Sequence, residues 1–115
     1  MNAFKKNNSF EKRKTESSKI IEKYEDRCPI IVQKDDKSKI DEIDKNKFLV
    51  PKDFTMSQFI FVIRKRIKLE PSKALFVTVN NMLIKGSESI ASVYLNNKDE
   101  DGFLYVVYSS ENTFG

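Results

Sequence analysis

Lys47-Phe48-Leu49-Val50-Pro51-Lys52-Asp53-Phe54-Thr55-Met56-Ser57-Gln58-Phe59-Ile60-Phe61-Val62-Ile63-Arg64-Lys65-Arg66-Ile67 is the stretch that decides the fold of this chain. Its first four residues read as a strand that Pro51 stops, and proline beside a strand points to a sheet edge or terminus. Thr55 and Gln58 then stand in capping-box spacing, Thr55 as N-cap and Gln58 three residues on. Met56, Phe59, Ile60, Ile63 and Ile67 recur at helical spacing and form one apolar stripe. Arg64, Lys65, Arg66 and Lys68 load the C-terminal end of this helix, where cations suit the dipole. Phe61 and Val62 fall off the stripe, with Val62 beyond Phe59 on one shoulder. The helix therefore carries more apolar surface than one core contact requires.

Outward on the N-terminal side, Cys28-Pro29-Ile30-Ile31-Val32 reads as another strand, joined to 47–50 by a charged loop over residues 33–44. Before it, residues 9–23 are good helix formers, with Asn8 or Ser9 available as cap and Glu11 three residues after Asn8. Glu16 and Ile20 share a face of this helix. Its apolar stripe is thin, which places it outside the core. Residues 1–8 are polar apart from Phe4 and are expected to be a short or mobile piece.

On the C-terminal side, residues 74–79 predict a third strand, Asn80-Asn81 a turn, and residues 87–94 a brief helix. Residues 96–102 predict a turn and residues 103–108 the last strand. Four strands crossed by one helix make an α+β roll. The last strand gives way to a polar tail, 109–115, that ends on Gly115. A flexible tail ending in glycine suits a carboxylate that must pass through a narrow enzyme channel, since glycine has no Cβ.

Composition narrows the chemistry. The chain has 115 residues, enough for one domain with a modest core, and its nine Phe and four Tyr supply much of the core volume in the absence of Trp. There is no His, which removes Cys–His and Ser–His nucleophile pairs and His-containing zinc sites. The single Cys28 makes no internal disulfide and holds no metal alone. No carboxylate pair sits in an apolar setting that would tune it for acid–base work. No metal, cofactor or catalytic residue is therefore expected. Neither a secretory segment nor a membrane-length apolar run is present, which suggests a cytosolic or nuclear protein with a reduced thiol. The net charge of +4 is uneven: residues 45–73 carry 8 basic and 2 acidic groups, and residues 96–115 carry 1 and 4. The basic middle favours acidic partners, and it equally fits a solvated face. A nucleic-acid module is a competing reading, but no stacking motif is recognisable and the acidic end interrupts any phosphate track.

Taken in order, these stretches resemble the GABARAP-type autophagy modifiers, which are ubiquitin-like proteins. The resemblance is carried by Phe10-Glu11-Lys12-Arg13, by Lys23-Tyr24-Glu25-Asp26-Arg27-Cys28-Pro29-Ile30-Ile31-Val32, and by Asp44-Lys45 with Lys47-Phe48-Leu49-Val50-Pro51. It continues through Gln58-Phe59, Ile63-Arg64-Lys65-Arg66-Ile67, Ala74-Leu75-Phe76 and Val79-Asn80-Asn81 to Asp99-Glu100-Asp101-Gly102-Phe103-Leu104-Tyr105 and Phe114-Gly115. It implies a ubiquitin-like β-grasp fold over residues 25–115, with a four-stranded sheet and a crossing helix, plus two N-terminal helices packed on it within residues 1–24. It implies a protein that catalyses nothing and is conjugated through Gly115 to phosphatidylethanolamine by activating and conjugating enzymes. Such a protein acts in autophagosome formation, moves from cytoplasm to autophagosomal membrane on lipidation, and docks cargo receptors bearing aromatic–x–x–aliphatic motifs. No nucleic acid is among its expected partners. The alternative is a non-conjugated ubiquitin-fold peptide-binding adaptor in vesicle trafficking.

The resemblance also implies a peptide groove along the 45–50 edge, where a ligand adds as a further strand. Its aromatic pocket would comprise Glu16, Ile20, Pro29 and Ile31 with Lys47, Leu49 and Phe103. Its aliphatic pocket would comprise Phe48, Val50, Pro51, Phe54, Phe59 and Val62. Arg27, Lys45, Lys47 and Arg66 would attract acidic residues flanking the peptide core. On periodicity alone, Ile31, Leu49 and Phe103 also suit plain core positions, and Lys45 and Lys47 also suit gatekeepers of an exposed edge. Phe48 and Phe54 stand where relatives often carry Tyr and Leu, and Cys28 where an aliphatic residue is usual. The 84–87 loop lacks the prolines often found there. These departures bear on partner specificity rather than on class.

Overall fold

Local sequence chemistry places the elements, and a computed structural model of the chain, describing residues 3–110, shows how they assemble. The order is α1 (Ala3–Asn7), α2 (Phe10–Lys23), β1 (Arg27–Lys34), β2 (Lys47–Pro51), α3 (Met56–Arg66), β3 (Phe76–Val79), β4 (Met82–Leu83), α4 (Ile90–Asn97) and β5 (Leu104–Ser109). One mixed sheet runs β2-β1-β5-β3-β4. β1 is antiparallel to β2 and parallel to β5, and β3 is antiparallel to both β5 and β4.

The capping box is present at the start of α3: the Thr55 hydroxyl accepts from the Gln58 N–H, and the Gln58 side chain accepts from the Thr55 N–H at 2.8 Å. The neighbouring helical N–H groups are satisfied from the 86–88 loop, where Met56 N–H donates to Glu88 C=O at 2.8 Å and Ser57 N–H to Gly86 C=O at 2.9 Å. Met56, Phe59, Ile63 and Ile67 bury the stripe against Ile30, Val32, Leu104, Val106 and Tyr108 of the two central strands, with Ile90 and Val93 of α4 closing the same core.

The opposite face of the sheet carries a smaller apolar cluster. Phe4, Ile31 and Phe103 are buried there, with Ile20 and Tyr105 packed against them. α2 docks on this side through polar groups: Arg13 and Ser17 are its buried residues. The Arg13 guanidinium donates to the Asp101 carboxylate at 2.5 Å, the Ser17 hydroxyl donates to the Asp101 carbonyl, and the Tyr105 hydroxyl donates to the same carboxylate. The thin apolar stripe of α2 thus has a physical counterpart. The helix is held by a charged, hydrogen-bonded contact to the 99–103 turn in addition to the apolar contact of Ile20.

Several expectations are corrected. Among the described residues the sheet has five strands rather than four, because the residues after the Asn80-Asn81 turn pair back onto β3. Both asparagines sit in the left-handed region, φ 51° and 64°, the conformation a two-residue hairpin turn demands. The segment around Phe4, read locally as a short or mobile piece, is the first of the two N-terminal helices that the resemblance implies, with Phe4 as its buried anchor. Ser9, not Asn8, caps α2, accepting from the Lys12 N–H. α4 begins at Ile90 because Ser89 caps it. Ser109 and Ser110, expected to open the tail, are tied to the fold. Ser109 pairs with Phe76 inside the sheet, and Ser110 N–H donates to the Ser38 hydroxyl at 3.2 Å. The remainder of the expected tail, including Gly115, lies outside the described residues.

Candidate peptide groove on the sheet edge

Among the described residues β2 has β1 on one side only, so one row of its backbone groups has no strand partner there. Which residues these are follows from the ladder. Val32 N–H donates to Asn46 C=O at 2.7 Å, and Lys52 N–H donates to Asp26 C=O at 2.9 Å. In an antiparallel pair, inward-bonding and outward-pointing residues alternate. Residues 46, 48, 50 and 52 therefore bond inward to β1, and Lys47 and Leu49 present their N–H and C=O groups to the outer edge. The Leu49 carbonyl is met by the Arg27 guanidinium at 3.2 Å. Arg27, read as an electrostatic residue, is thus placed directly on the edge.

The side chains of β2 divide between the two faces. Phe48 packs edge-on against Phe59 of α3, ring centroids 5.7 Å apart, and Val50 joins the same core. Lys47 faces the other way, pairing with Glu16 of α2, its ammonium 5.8 Å from the Phe4 ring centroid. An extended peptide added to this edge sends alternate side chains to opposite faces. Two anchors three residues apart fall on opposite faces, which is the spacing of an aromatic–x–x–aliphatic motif.

On the α2 side, a cleft of about 780 Å³ is lined by Phe4, Ile20, Gln33, Lys47 and Leu49 together with loop residues 42–46. Glu16 and Lys47, with Phe4, border an adjoining cleft of about 700 Å³. Of the expected aromatic-pocket residues, Glu16, Ile20, Lys47 and Leu49 thus meet at the surface. Pro29, Ile31 and Phe103 are buried and line neither cleft. The reason is Phe4. Its ring stands edge-on to Phe103 at 5.3 Å and covers the apolar floor.

On the α3 side, a recess of about 650 Å³ is lined by Phe48, Val62, Lys45 and Arg66, four of the expected residues, together with Phe61 and Lys65. Val50 and Phe59 are buried in the main core. Pro51 and Phe54 are half-buried beyond this recess. The Lys45 ammonium lies 5.2 Å from the Phe48 ring centroid and the Arg66 guanidinium 6.0 Å from it. Arg66 also approaches Asp44 at 3.4 Å.

Sequence reasoning missed Phe4, Phe61 and Lys65. Phe4 carried a signal, a single aromatic in a polar segment, but nothing local says what it covers. Phe61 carried a stronger one, as an off-stripe aromatic on an otherwise periodic helix.

Comparison with known proteins bears on this geometry. Residues 12–115 match the family model described as "Autophagy protein Atg8 ubiquitin like". Autophagy-related protein 8e of Arabidopsis thaliana is 58% identical over 112 residues, covering 97% of this chain and 92% of that protein. Autophagy-related protein 8 of Schizosaccharomyces pombe is 56% identical over 112 residues, covering 97% and 93%. Among solved structures, Trypanosoma brucei ATG8 superposes with a TM-score of 0.93 at 46% identity, over 100% of this chain and 99% of that one. Plasmodium falciparum Atg8 in complex with a Plasmodium falciparum Atg3 peptide superposes with a TM-score of 0.90 at 34% identity, covering 97% and 98%.

Proposed function

Because this chain belongs to the Atg8 family, and is thereby a ubiquitin-like modifier of autophagy, we propose that it is conjugated through Gly115 to phosphatidylethanolamine and docks short peptides along β2. In this reading residues 1–24 are a helical extension and residues 25–115 the ubiquitin-like unit. An ATP-using enzyme activates the Gly115 carboxylate, and the acyl group passes as a thioester to a conjugating enzyme. The lipid amine displaces the thiolate to give an amide. The chain supplies the reacting carboxylate and none of the catalysis. Among the described residues no helix is long and apolar enough to cross a membrane. The two acyl chains of the lipid would anchor the protein instead, at roughly 0.8 kcal/mol per buried CH₂.

Docking rests on one observation above all: the outward-pointing backbone of Lys47 and Leu49 lies between two recesses on opposite faces, each walled by both apolar and charged side chains. That edge would supply strand-like hydrogen bonds to a cargo receptor or to a conjugating enzyme, and the recesses would read the aromatic and the aliphatic side chain. The peptide found on Plasmodium falciparum Atg8 comes from its Atg3, which supports a surface of this fold that takes peptides. The cations at Arg27, Lys45, Lys47 and Arg66 would draw acidic flanks, an attraction that salt screens. We place the unconjugated protein in the cytoplasm and the conjugate on autophagosomal membrane.

The test has two arms. Incubated with activating and conjugating enzymes, ATP and phosphatidylethanolamine liposomes, the chain should gain the lipid mass, and Gly115→Ala should not. Normal lipidation of Gly115→Ala would rule out the attachment point. In peptide titrations, Leu49→Ala should weaken an aromatic–x–x–aliphatic peptide by roughly 1–3 kcal/mol. Leu49 is the better probe than the buried Phe103, whose loss would also disturb the fold.

A further inference from the structure

Ser38 is buried, although it lies in the charged loop between β1 and β2, and its hydroxyl is directed at a residue 72 positions away. The Ser110 N–H donates to it at 3.2 Å, and the two serine hydroxyls lie 3.2 Å apart, where either can act as donor. The turn that carries Ser38 is set by its own bonds. The Asp35 carboxylate accepts from the Lys37 N–H at 2.9 Å, and the Asp35 carbonyl accepts from the Ser38 N–H at 3.0 Å. The Lys34 ammonium donates to the Asp35 carbonyl at 2.9 Å and to the Ser38 carbonyl at 2.5 Å. The Asp35 N–H moors the turn to the last strand, donating to the Tyr108 carbonyl at 2.8 Å.

Topology explains why these groups meet. β1 and β5 run parallel with Lys34 opposite Tyr108, so the two strands end side by side. β1 passes into the 35–38 turn, and β5 runs on to Ser109, whose partner is Phe76. Ser110 comes next, and five residues, 111–115, follow it in the sequence. We infer that Ser38 is a positioning residue for the reaction of Gly115: it clips Ser110 to the fold and so sets the point from which residues 111–115 carry the carboxylate to an activating enzyme. The inference rests on the Gly115 reading and adds to it a side chain outside the tail. Five residues span at most about 17 Å when extended, so the point of departure limits where the carboxylate can arrive. Ordering a residue has an entropic cost, and a residue already held in the free protein is not ordered again on binding. The clip therefore assists docking rather than the chemical step, and its loss belongs in KM and not in kcat.

Two measurements on the full chain test this: amide exchange at Ser110, and the kinetics of thioester formation with a purified activating enzyme and ATP. Ser38→Ala should remove the protection of the Ser110 amide and raise KM roughly fivefold at unchanged kcat. Ser38→Thr, which keeps the hydroxyl, should restore both. Ser110→Ala separates the clip from the turn, because it removes the hydroxyl contact and leaves the 35–38 bonds in place. It should raise KM by less than Ser38→Ala does, and add nothing in the double variant. Additive shifts would assign the effect to the turn and overturn the inference. An unchanged KM in a Ser38→Ala chain whose Ser110 amide has lost protection also overturns it. So does a lower KM, which would mean that the clip holds the tail back and has to be broken. A native chain that forms no thioester while its Ser110 amide is protected overturns the Gly115 reading itself, and the role of Ser38 falls with it.

Discussion

Gly102 sits at φ +89°, a backbone region open to glycine and strained for other residues, directly beneath Ser17 of α2. A Cβ there would overlap the Ser17 hydroxyl that bonds the Asp101 carbonyl. The glycine thus lets the 99–103 turn approach α2 closely enough for Asp101 to be fully buried and still bonded by Arg13, Tyr105 and the Phe103 N–H. Tyr94 donates to the Gly102 carbonyl at 2.6 Å from the other side, and burial, with the nearby Cys28 and Asp101, pushes its hydroxyl up to about 12. Gly102→Ala should therefore lower stability by about 1–3 kcal/mol, measured by urea denaturation. A neutral result would mean that the turn relaxes at no cost and that the close contact with Ser17 is dispensable. The identity of residue 102 as glycine is plain in the sequence, but the reason for it is not. Ser17 is 85 positions away, and only packing brings the two together.

At the scale of elements, α1 depends on a few contacts. Its five residues are too few to hold a helix by propensity. It is held by the Phe4 ring, by the Phe4 N–H donating to Gln33 Oε1 at 3.3 Å, and by the Lys5–Asp99 ion pair at 2.5 Å. Burial pushes the Asp99 carboxyl up, but the hydrogen bonds from Lys5 and the Asp101 N–H, together with the Lys5 charge, outweigh it and hold it below the ordinary carboxylate value. A carboxylate lowered in this way contributes its stability in full above its unfolded value of about 3.9, and loses it as pH falls through the folded value. Amide-exchange protection of α1 should accordingly drop between about pH 4 and pH 2 before the sheet opens. Asp99→Asn should remove that pH dependence. Protection that stays level through this range in the native chain would show that Phe4 alone anchors the helix. α3, by contrast, was legible from its residues, because cap, stripe and terminal cations all act within four positions of one another. What its sequence does not reveal is which shoulder faces an open recess. Phe61 and Val62 read alike as off-stripe residues, and the position of β2 alone makes one half-buried and the other exposed.

For the whole molecule, the decisive feature is that the sheet is covered unequally. α3 and α4 bury one large core on one face, and α1 and α2 bury a small cluster on the other. The two layers should fail differently. Ile63→Ala, in the centre of the large core, should cost about 2–5 kcal/mol of global stability by opening a cavity. Phe4→Ala should leave the main unfolding transition nearly in place, while raising amide exchange in α1 and uncovering Ile31 and Phe103. Equal losses of global stability for the two variants would mean that the layers unfold as one unit. The uncovered floor is where the assignment of Ile31 and Phe103 to an aromatic pocket meets the structure. Both residues lie beneath Phe4 in the smaller cluster, so access to them is a property of α1.

By itself the sequence determined the elements that depend on near neighbours: the capped helix 56–66, the Asn80-Asn81 turn, the strand interrupted at Pro51, and the basic middle of the chain. It also carried, spread over nearly its whole length, the ordered motifs by which the family is recognised. The tertiary structure alone decided which of those elements stands at the sheet edge, which backbone groups of β2 point outward, and which apolar residues are covered. The physical reason is range. Caps, turns and amphipathic stripes are settled by contacts within about one helical turn or one hairpin. The proposed groove depends on groups such as Glu16 and Lys47, which meet at its border, and Phe4, which covers Phe103 beneath it; both encounters depend on how the helices close over the sheet and leave no periodic trace in the order of residues.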